Sequence, residues 1–381
     1  MRRRVVVTGV GAVTGYGVGW KKLWDGVLAG RSAVKTLDWE GWEGAPVQVA
    51  AQIVEERSEK RDEWKSLYWA RLALHEAMKM SGVGCGAGIS GAIGWPGPGE
   101  KGKGQDPLKI LAEVAELEGE RAESLAACAA STHAIAEAFW MIRDGEVDEM
   151  VAGGADGRAH PGGVLGYDRL GALARGFREK PEEACQPFGL GRSGFVVGEG
   201  AGFLVLEERE KARARGANIL AEVRGAAVGC DAWRTTDPRE DAEEAVACVQ
   251  ECLHDGEILE DGGISEDEVD GVVAHGTGTV ANDRAEAKML REVFGERRPW
   301  VIAPKSRIGH LSMACGAVES VLAVQSIAED LLPSTLGKEW RADPECPVRA
   351  VKGEGIRGVK VVLKSSFGFG GQNGCLVFAQ A

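Results

Sequence analysis

The stretch Val272-Val-Ala-His-Gly-Thr-Gly-Thr279 passes from a short apolar run directly into a loop of histidine, glycine and threonine. An apolar run of this length, bounded by turn residues, is typical of a buried strand. The same change recurs along the chain at Ala127 into Cys128, Ala152 into Gly153, Ala303 into Lys305 and Leu363 into Ser365. Because α/β proteins place their sites at the carboxyl ends of parallel strands, we expect these distant segments to converge on one pocket.

Short apolar runs alternate with helix-length patterns over the whole chain. The predicted strands are Val5 to Val7, Leu125 to Ala127, Met150 to Ala152, Phe203 to Leu206, Val272 to Ala274, Val301 to Ala303 and Val359 to Leu363. The predicted helices are Ala134 to Arg143, Asp241 to Leu253, Arg284 to Phe294 and Gly316 to Asp330. This alternation predicts an α/β fold with covered sheets. The charged run from Glu207 to Asn218 is the most linker-like stretch and divides the chain into two halves.

Composition excludes several classes of protein. The chain has 381 residues, and 55 of them are glycine. Hydrophobic residues make up 44% of the chain, which is enough for a buried core. Its net charge of −13 argues against nucleic-acid binding, and no apolar stretch reaches the ~18 residues of a membrane span. The apolar run from Val5 to Val13 is predicted to be a strand rather than a signal peptide. Nine scattered cysteines favour reduced thiols and therefore a cytoplasmic protein.

Cys128 lies in Ser124-Leu-Ala-Ala-Cys-Ala-Ala-Ser-Thr-His133, where small residues lead from a predicted strand into a helix. The positive end of a helix dipole lowers the pKa of a thiol, so this position favours a reactive thiolate. The alternative is an inert buried cysteine that fills a close contact between strand and helix. Cys248 and Cys252 fall on one predicted helix near His254, and we expect them to be structural and to bind no metal.

Two of the six histidines follow predicted strands, His275 directly and His310 after the segment that begins at Lys305. A buried lysine near them would hold a histidine neutral, or orient it through a carboxylate such as Glu319. The alternative interpretations are structural: His275 is a histidine in a turn, Lys305 is exposed to solvent, and His310 lies at the start of a helix. Because two of the six histidines lie near predicted strand ends, a functional role for these two is favoured over a structural one.

The C-terminal loop Ser366-Phe-Gly-Phe-Gly-Gly-Gln-Asn373 places glycine on both sides of Phe369. These glycines allow backbone amides to approach a ligand and form an oxyanion hole. Gly9-Val-Gly11 lacks the spacing of a dinucleotide fingerprint and is predicted to be a turn at a strand end. Together, the thiol, the two histidines, the lysine and the amide loop indicate acyl transfer by a cysteine nucleophile.

With these motifs in this order, the chain resembles the β-ketoacyl-acyl-carrier-protein synthases, the elongating condensing enzymes, and within them the synthase II type of the thiolase superfamily. The motifs that carry the resemblance are the Cys128 segment, Val151-Ala-Gly-Gly-Ala-Asp156, Gly198-Glu-Gly-Ala-Gly202, His275-Gly-Thr-Gly-Thr279, Lys305 with Gly309-His310, and Phe367-Gly-Phe-Gly-Gly371. The resemblance implies a thiolase-like fold of five αβαβα layers built from two related halves, 1–213 with the nucleophile and 221–381 with both histidines. It also implies a dimer.

The resemblance further implies a decarboxylative Claisen condensation that needs no cofactor. Cys128 would accept the acyl group from an acyl carrier protein, and malonyl carrier protein would supply the extender unit. His275 and His310 would donate to the enolate, the backbone amides of Cys128 and Phe369 would form the oxyanion hole, and Lys305 with Glu319 would tune His310. The positions matched to the pantetheine arm are Thr236, Thr277 and Thr279, and those matched to a gate are Phe369 and Phe367.

The basic cluster Arg57, Lys60, Arg61 and Lys65 matches a carrier-docking position of the family, and a solvated helix face is the alternative. The dimer is expected to be a homodimer, with a heterodimer open. Two other functions stay open: a non-catalytic partner resembling a chain-length factor, which would normally lack Cys128, and a thiolase-type enzyme, which would normally carry a cysteine where this chain has Phe367.

Three departures from the family pattern predict a specialised member. The region from Gly94 to Glu123 is shorter than in the family, which uses it for the acyl pocket and dimer contacts. Aspartates expected at Gly189 and Ser193 are absent, and Arg234 stands where some relatives have histidine.

Overall fold

The computed structural model of the protein describes residues 2–54, 64–255 and 262–381. The strands within these ranges are Val5–Thr14 (β1), Gly17–Val18 (β2), Lys35–Thr36 (β3), Val49–Ala50 (β4), Gly88–Ile93 (β5), Arg121–Glu123 (β6), Glu149–Asp156 (β7), Gly200–Glu208 (β8), Ala221–Cys230 (β9), Gly271–Val273 (β10), Trp300–Ile302 (β11), Val361–Gly368 (β12) and Gln372–Ala379 (β13). The helices are Trp20–Leu28 (α1), Lys65–Ser81 (α2), Pro107–Val114 (α3), Ala130–Arg143 (α4), Pro161–Arg169 (α5), Arg209–Ala214 (α6), Glu243–His254 (α7), Val280–Phe294 (α8), Lys305–Ile308 (α9) and Cys315–Ala328 (α10).

The main sheet repeats one strand pattern in the two halves of the chain. Its order is β11-β10-β12-β13-β9-β1-β8-β7-β5-β6. When the strands are counted outward from the centre of the sheet, each strand of one half corresponds to a strand of the other half. The corresponding pairs are β1 with β9, β8 with β13, β7 with β12, β5 with β10, and β6 with β11. The strand directions also agree, since β5 is parallel to β6 and β7, and β10 is parallel to β11 and β12. The two half-sheets meet where Val5–Val7 of β1 pair with β9.

This repeat supports the predicted construction from two related halves. The N-terminal pattern ends with β8 and the C-terminal pattern begins with β9, so we propose that the halves divide as 1–213 and 221–381.

Helices cover both faces of each half-sheet. Helix α2 packs on β1 and β8 at one outer face, and α7 packs on β9 and β13 at the other, beside α8. Helices α4 and α10 contact each other and strands of both half-sheets between them. Thirteen of the 14 residues of α10 are buried, as expected for a helix in the middle layer. This is the predicted αβαβα arrangement.

The glycine pair near the N-terminus serves packing and does not end the strand. Strand β1 continues through Gly9 and Gly11 to Thr14, so the predicted strand-end turn is wrong. A Cβ atom on Gly9 would lie 2.2 Å from the carbonyl oxygen of Ala77, and one on Gly11 would lie 2.0 Å from that of Ala73. The two glycines therefore allow α2 to approach the sheet closely.

Two other predicted elements are also wrong. Leu125 to Ala127 is not a strand: the strand is β6, Leu125 is 64% exposed, and a 3₁₀ turn begins at Ala127. The alanine-rich segment instead starts the helical structure that continues into α4. The charged run after Glu207 is not a linker, because it completes β8 and then forms α6. Glu207 is buried and its side chain binds Arg215, so these charges are partly internal.

Each of the other predicted strands and helices overlaps an observed element of the same type, and the predicted strand Val5 to Val7 is the start of the longer β1. All nine cysteines are free thiols. In the three described ranges, none of the helices combines the length and the apolar character needed to cross a bilayer.

Candidate active site

The predicted site segments converge at the carboxyl ends of the strands. A cavity of about 320 Å³ opens there, and predicted residues from both halves of the chain line it: Cys128, Thr236, His275, Thr277, Thr279, His310, Phe367 and Phe369. Lys305 and Glu319 lie behind this cavity, fully buried, and reach it through His275. One cavity therefore brings together a thiol, two imidazoles and a glycine-rich loop.

Cys128 lies in a strained turn at the start of α4. The residue before it, Ala127, has a φ of 48°, a left-handed conformation that is costly for a residue with a side chain and is concentrated at functional sites. Burial raises the pKa of the Cys128 thiol to about 11, although the charges of Arg158 and Lys305 act in the opposite direction. The expected lowering of this pKa by the helix start is therefore wrong for the free protein, because desolvation of the thiolate outweighs it.

Arg158 is a charged neighbour of Cys128 that the sequence interpretation missed. It follows β7, its backbone amide donates to the buried Asp156 carboxylate at 3.0 Å, and its guanidinium lies 3.3 Å from the second carboxylate oxygen. Its Nη1 donates to the Tyr167 hydroxyl at 2.7 Å. The motif Val151 to Asp156 ends two residues before this arginine, but no feature of the sequence indicated that Arg158 lies near the thiol.

Arg158→Leu is expected to slow alkylation of Cys128 by iodoacetamide about tenfold at pH 8. Removing a nearby cation raises the thiol pKa further, and each pH unit below the pKa costs about tenfold in thiolate. The rate is measured by peptide mass spectrometry, with the exposed Arg175→Leu as the matched control. Alkylation of Arg158→Leu at the wild-type rate would show that the guanidinium does not support the thiolate.

His275 and His310 lie together as neutral imidazoles. Their ring centroids are 5.6 Å apart and the rings are nearly perpendicular. Burial, followed by the charge of Lys305, lowers the pKa of each histidine well below its usual value. The amide of Ser312 donates to His310 Nδ1 at 2.9 Å, and Lys305 Nζ lies 3.3 Å from His275 Nδ1. These contacts assign the ring proton to Nε2 in both residues, which makes both of them hydrogen-bond donors there.

A buried charge network supports the first imidazole. Lys305 Nζ donates to the carbonyl oxygen of His275 and to Glu319, each at 2.6 Å. Lys364 Nζ, which the sequence interpretation missed, lies 3.1 Å from the other Glu319 oxygen. Two lysines thus share one carboxylate, and their positive charge adds to the larger effect of burial in keeping the histidines neutral. Lys305 contacts His275 directly, and it acts on His310 through its charge, which lowers the pKa of that imidazole. Its role in tuning His310 stays a prediction.

Glu286 was also missed, and it holds the loop after β10 in place. Its carboxylate accepts the backbone amides of His275 and Gly276, each at 2.7 Å, and the Ser365 hydroxyl at 2.8 Å. The residue lies 11 positions after His275 on a helix, and no local motif marks it.

The glycine-rich loop packs directly on the turn that carries Cys128. A Cβ atom on Gly368 would lie 2.7 Å from the Ala126 carbonyl oxygen and 3.2 Å from the Cys128 amide nitrogen. Gly370 has a φ of 81°, which favours glycine. The Phe369 amide lowers the pKa of the Cys128 thiol, which places this proposed oxyanion donor near the sulfur atom. The Phe367 ring contacts His275 edge-on at 5.9 Å.

The predicted docking cluster is only partly described. Arg57, Lys60 and Arg61 lie outside the described residues. Lys65 is 8% exposed and forms an ion pair with the buried Glu199, so its expected role in docking is wrong. It is held inside because a buried carboxylate requires a charged partner. Cys248 and Cys252 are buried on α7, and no group of metal-ligating side chains occurs within 2–54, 64–255 and 262–381.

Comparison with known proteins places this geometry in a family. The profile of the beta-ketoacyl synthase N-terminal domain matches residues 2–81 and 110–212, and that of the C-terminal domain matches residues 220–339. The 3-oxoacyl-[acyl-carrier-protein] synthase 2 of Coxiella burnetii is 32% identical over 100% of this chain and 99% of its own length. The gap in the N-terminal match overlaps the region from Gly94 that departs from the family pattern.

Solved structures agree in fold over the whole chain. The ketosynthase of a type II PKS, solved as AntDE:AntF with its acyl-carrier protein and bound to the hexaketide, matches with a TM-score of 0.90 and 28% identity over 100% of both chains. The ishigamide ketosynthase/chain length factor matches with a TM-score of 0.87 and 28% identity, again over 100% of both chains. With both halves matched in sequence and fold, this chain belongs to the β-ketoacyl synthase family.

Proposed function

We propose that the protein is a 3-oxoacyl-acyl-carrier-protein synthase that joins an acyl group to a malonyl-derived unit in fatty-acid or polyketide synthesis. The observation that carries this proposal is the shared cavity, where the Cys128 thiol meets two neutral imidazoles and a backbone amide loop. A thiol suits acyl transfer between thioesters, and neutral donors suit an enolate. The assignment of a catalytic role to each residue is part of the proposal.

In the first step Cys128 takes the acyl group from a carrier protein. Its sulfur attacks the thioester carbonyl, the bond from the acyl carbon to the pantetheine sulfur breaks, and the released pantetheine thiolate takes up the proton of the cysteine. The amides of Cys128 and Phe369 stabilise the tetrahedral oxyanion. Thr236, Thr277 and Thr279 line the cavity as contacts for the pantetheine arm, and Phe369 with Phe367 forms its gate.

In the second step malonyl carrier protein loses carbon dioxide. The bond between the malonyl carboxylate and its α-carbon breaks, and the electron pair becomes an enolate whose oxygen accepts from the Nε2–H groups of His275 and His310. Neutral imidazoles stabilise this oxygen without readily protonating the carbanion. The α-carbon then attacks the Cys128 thioester, and the departing cysteine thiolate takes up a proton.

Lys305, Glu319 and Lys364 are positioning residues in this scheme. Lys305 orients the loop at His275 through its carbonyl oxygen, and Glu319 holds Lys305. The charge of the pair of lysines disfavours protonation of both imidazoles.

The acyl carrier protein is the proposed partner, and a homodimer is the proposed assembly. Free thiols and the reaction class fit a cytoplasmic enzyme. A partner like a chain-length factor is disfavoured because the chain has Cys128 with both histidines. A thiolase-type enzyme is disfavoured because Phe367 lies beside His275 where a second cysteine is expected.

The proposed function predicts that the purified chain alone condenses acyl carrier protein with malonyl carrier protein. Product and carbon dioxide are expected in a 1:1 ratio, measured by mass spectrometry of the carrier and by trapping labelled carbon dioxide. Activity that requires a second, related chain would favour the chain-length-factor function. Acetoacetyl-CoA formation from two acetyl-CoA molecules, with no use of malonyl carrier protein, would favour the thiolase function.

A further inference from the structure

A second cavity lies apart from the one that contains Cys128, beside the end of α1 and the segment 333–354. Its volume is about 540 Å³, which is within the ~300–1,000 Å³ of ligand pockets. Four cationic side chains line it, namely Arg307, Lys338, Arg341 and Lys352, and Glu354 is the carboxylate among its described lining residues. This concentration of positive charge is unusual because the whole protein carries a net charge of −13.

Arg307 is the buried cation of this cavity. The residue is 8% exposed, and its Nη2 donates to the carbonyl oxygen of Leu336. Its Nε is buried without a hydrogen-bond acceptor, and in the described part of the chain no carboxylate pairs with the guanidinium. The neighbouring Tyr16 does not supply an anion, because its hydroxyl donates to the Arg31 carbonyl at 2.7 Å. A buried charge without a counter-charge is costly, which points to an anion that is bound from outside.

The other three cations surround this floor at the solvent edge. Lys338, Arg341 and Lys352 are exposed. Lys352 Nζ lies 5.3 Å from the ring centroid of Trp340, and the indole is fixed by a 2.8 Å hydrogen bond to the Pro187 carbonyl. Arg341 lies 3.7 Å from Glu339, so part of its charge is already used. The fixed indole and the exposed lysines beside a buried guanidinium suit a compact ligand with more than one negative charge.

We propose that this cavity binds a phosphate-bearing small molecule, with Arg307 as its principal contact. Arginine is the residue best suited to phosphate because it offers several fixed donors and stays charged when buried. Arg307 is two residues from Lys305 on α9, and its carbonyl oxygen accepts from the Ala33 amide at 2.8 Å. A ligand held there therefore stabilises the turn that carries Lys305.

The test is titration of the full-length protein with inorganic pyrophosphate at constant ionic strength, followed by calorimetry and thermal unfolding. The wild type is expected to bind saturably and to gain thermal stability. Arg307→Met is expected to weaken binding about 10- to 100-fold. Lys352→Met is expected to weaken it about 3- to 10-fold, as for an exposed charge. The control Arg175→Met, an exposed arginine outside the cavity, should bind as the wild type does.

A second readout separates a ligand site from a structural arginine. Without pyrophosphate, Arg307→Met is expected to unfold at a temperature equal to or higher than the wild type, because it removes an uncompensated buried charge. Blocking Cys128 with iodoacetamide should leave pyrophosphate binding unchanged. Tighter binding of adenosine 3′,5′-bisphosphate than of pyrophosphate would assign an organic phosphate, and the reverse an inorganic one. Non-saturable binding, or equal affinity of wild type and Arg307→Met for both probes, would overturn the proposal.

Discussion

Cys128→Ala is expected to reduce condensation at least about 10³-fold, while decarboxylation of malonyl carrier protein continues. The variant has no sulfur to hold the acyl group, so the carbon–carbon bond cannot form. The two imidazoles do not depend on the sulfur for their positions, since His310 is held by Ser312 and His275 by Lys305 and Glu286. The enolate therefore still forms and is protonated to an acetyl thioester.

The measurement is separation of the carrier-bound products by mass spectrometry over time. The matched control is Cys85→Ala, which removes an exposed thiol and should leave both products unchanged. Condensation by Cys128→Ala at more than a few per cent of the wild-type rate would contradict the assignment of the nucleophile.

His275→Ala and His310→Ala are expected to lose decarboxylation and to retain acylation of the protein, which is the reverse of the effect of Cys128→Ala. Each variant removes one Nε2–H donor from the enolate oxygen, and loss of one such donor costs about 10²–10³ in rate. Decarboxylation should fall by this factor in each variant, while the Cys128 thiol still forms an acyl-enzyme. The measurements are carbon dioxide release and the mass of the acylated protein.

The control for the histidines is His75→Ala, since His75 is an exposed histidine on α2. Retained acylation shows that each variant is folded, so a lost decarboxylation reflects chemistry. If either variant released carbon dioxide at the wild-type rate, its imidazole would have no part in enolate stabilisation.

Sequence alone predicted the α/β class and the convergence of the site. Alternation of apolar runs with helical periods marks strands that are covered on both faces, and β1 is buried at every position. The rule that sites follow parallel strands then located His275 and the loop around Phe369. It also led to Cys128, although the strand before that residue, β6, ends earlier than predicted, at Glu123. The resemblance added the two related halves, which the repeated strand order supports.

Sequence could not predict features that depend on burial and on contacts between distant segments. The pKa of Cys128 is set by desolvation, and only the fold determines how much water reaches the sulfur. Lys65 appears as one more cation in a basic run, but its partner Glu199 lies more than 130 positions away. Arg158 and Lys364 are single charges without a motif, and they became visible only when β7 and β12 placed them beside Cys128 and Glu319.

The most direct test of the central claim is mass analysis of the intact protein after incubation with a panel of acyl carrier proteins. The wild type is expected to gain one acyl mass per chain, which peptide mapping assigns to Cys128 and which also reports the preferred acyl group. Cys128→Ala is expected to gain none. An acyl adduct that persists in Cys128→Ala, or that maps in the wild type to an exposed thiol such as Cys230, would contradict the account.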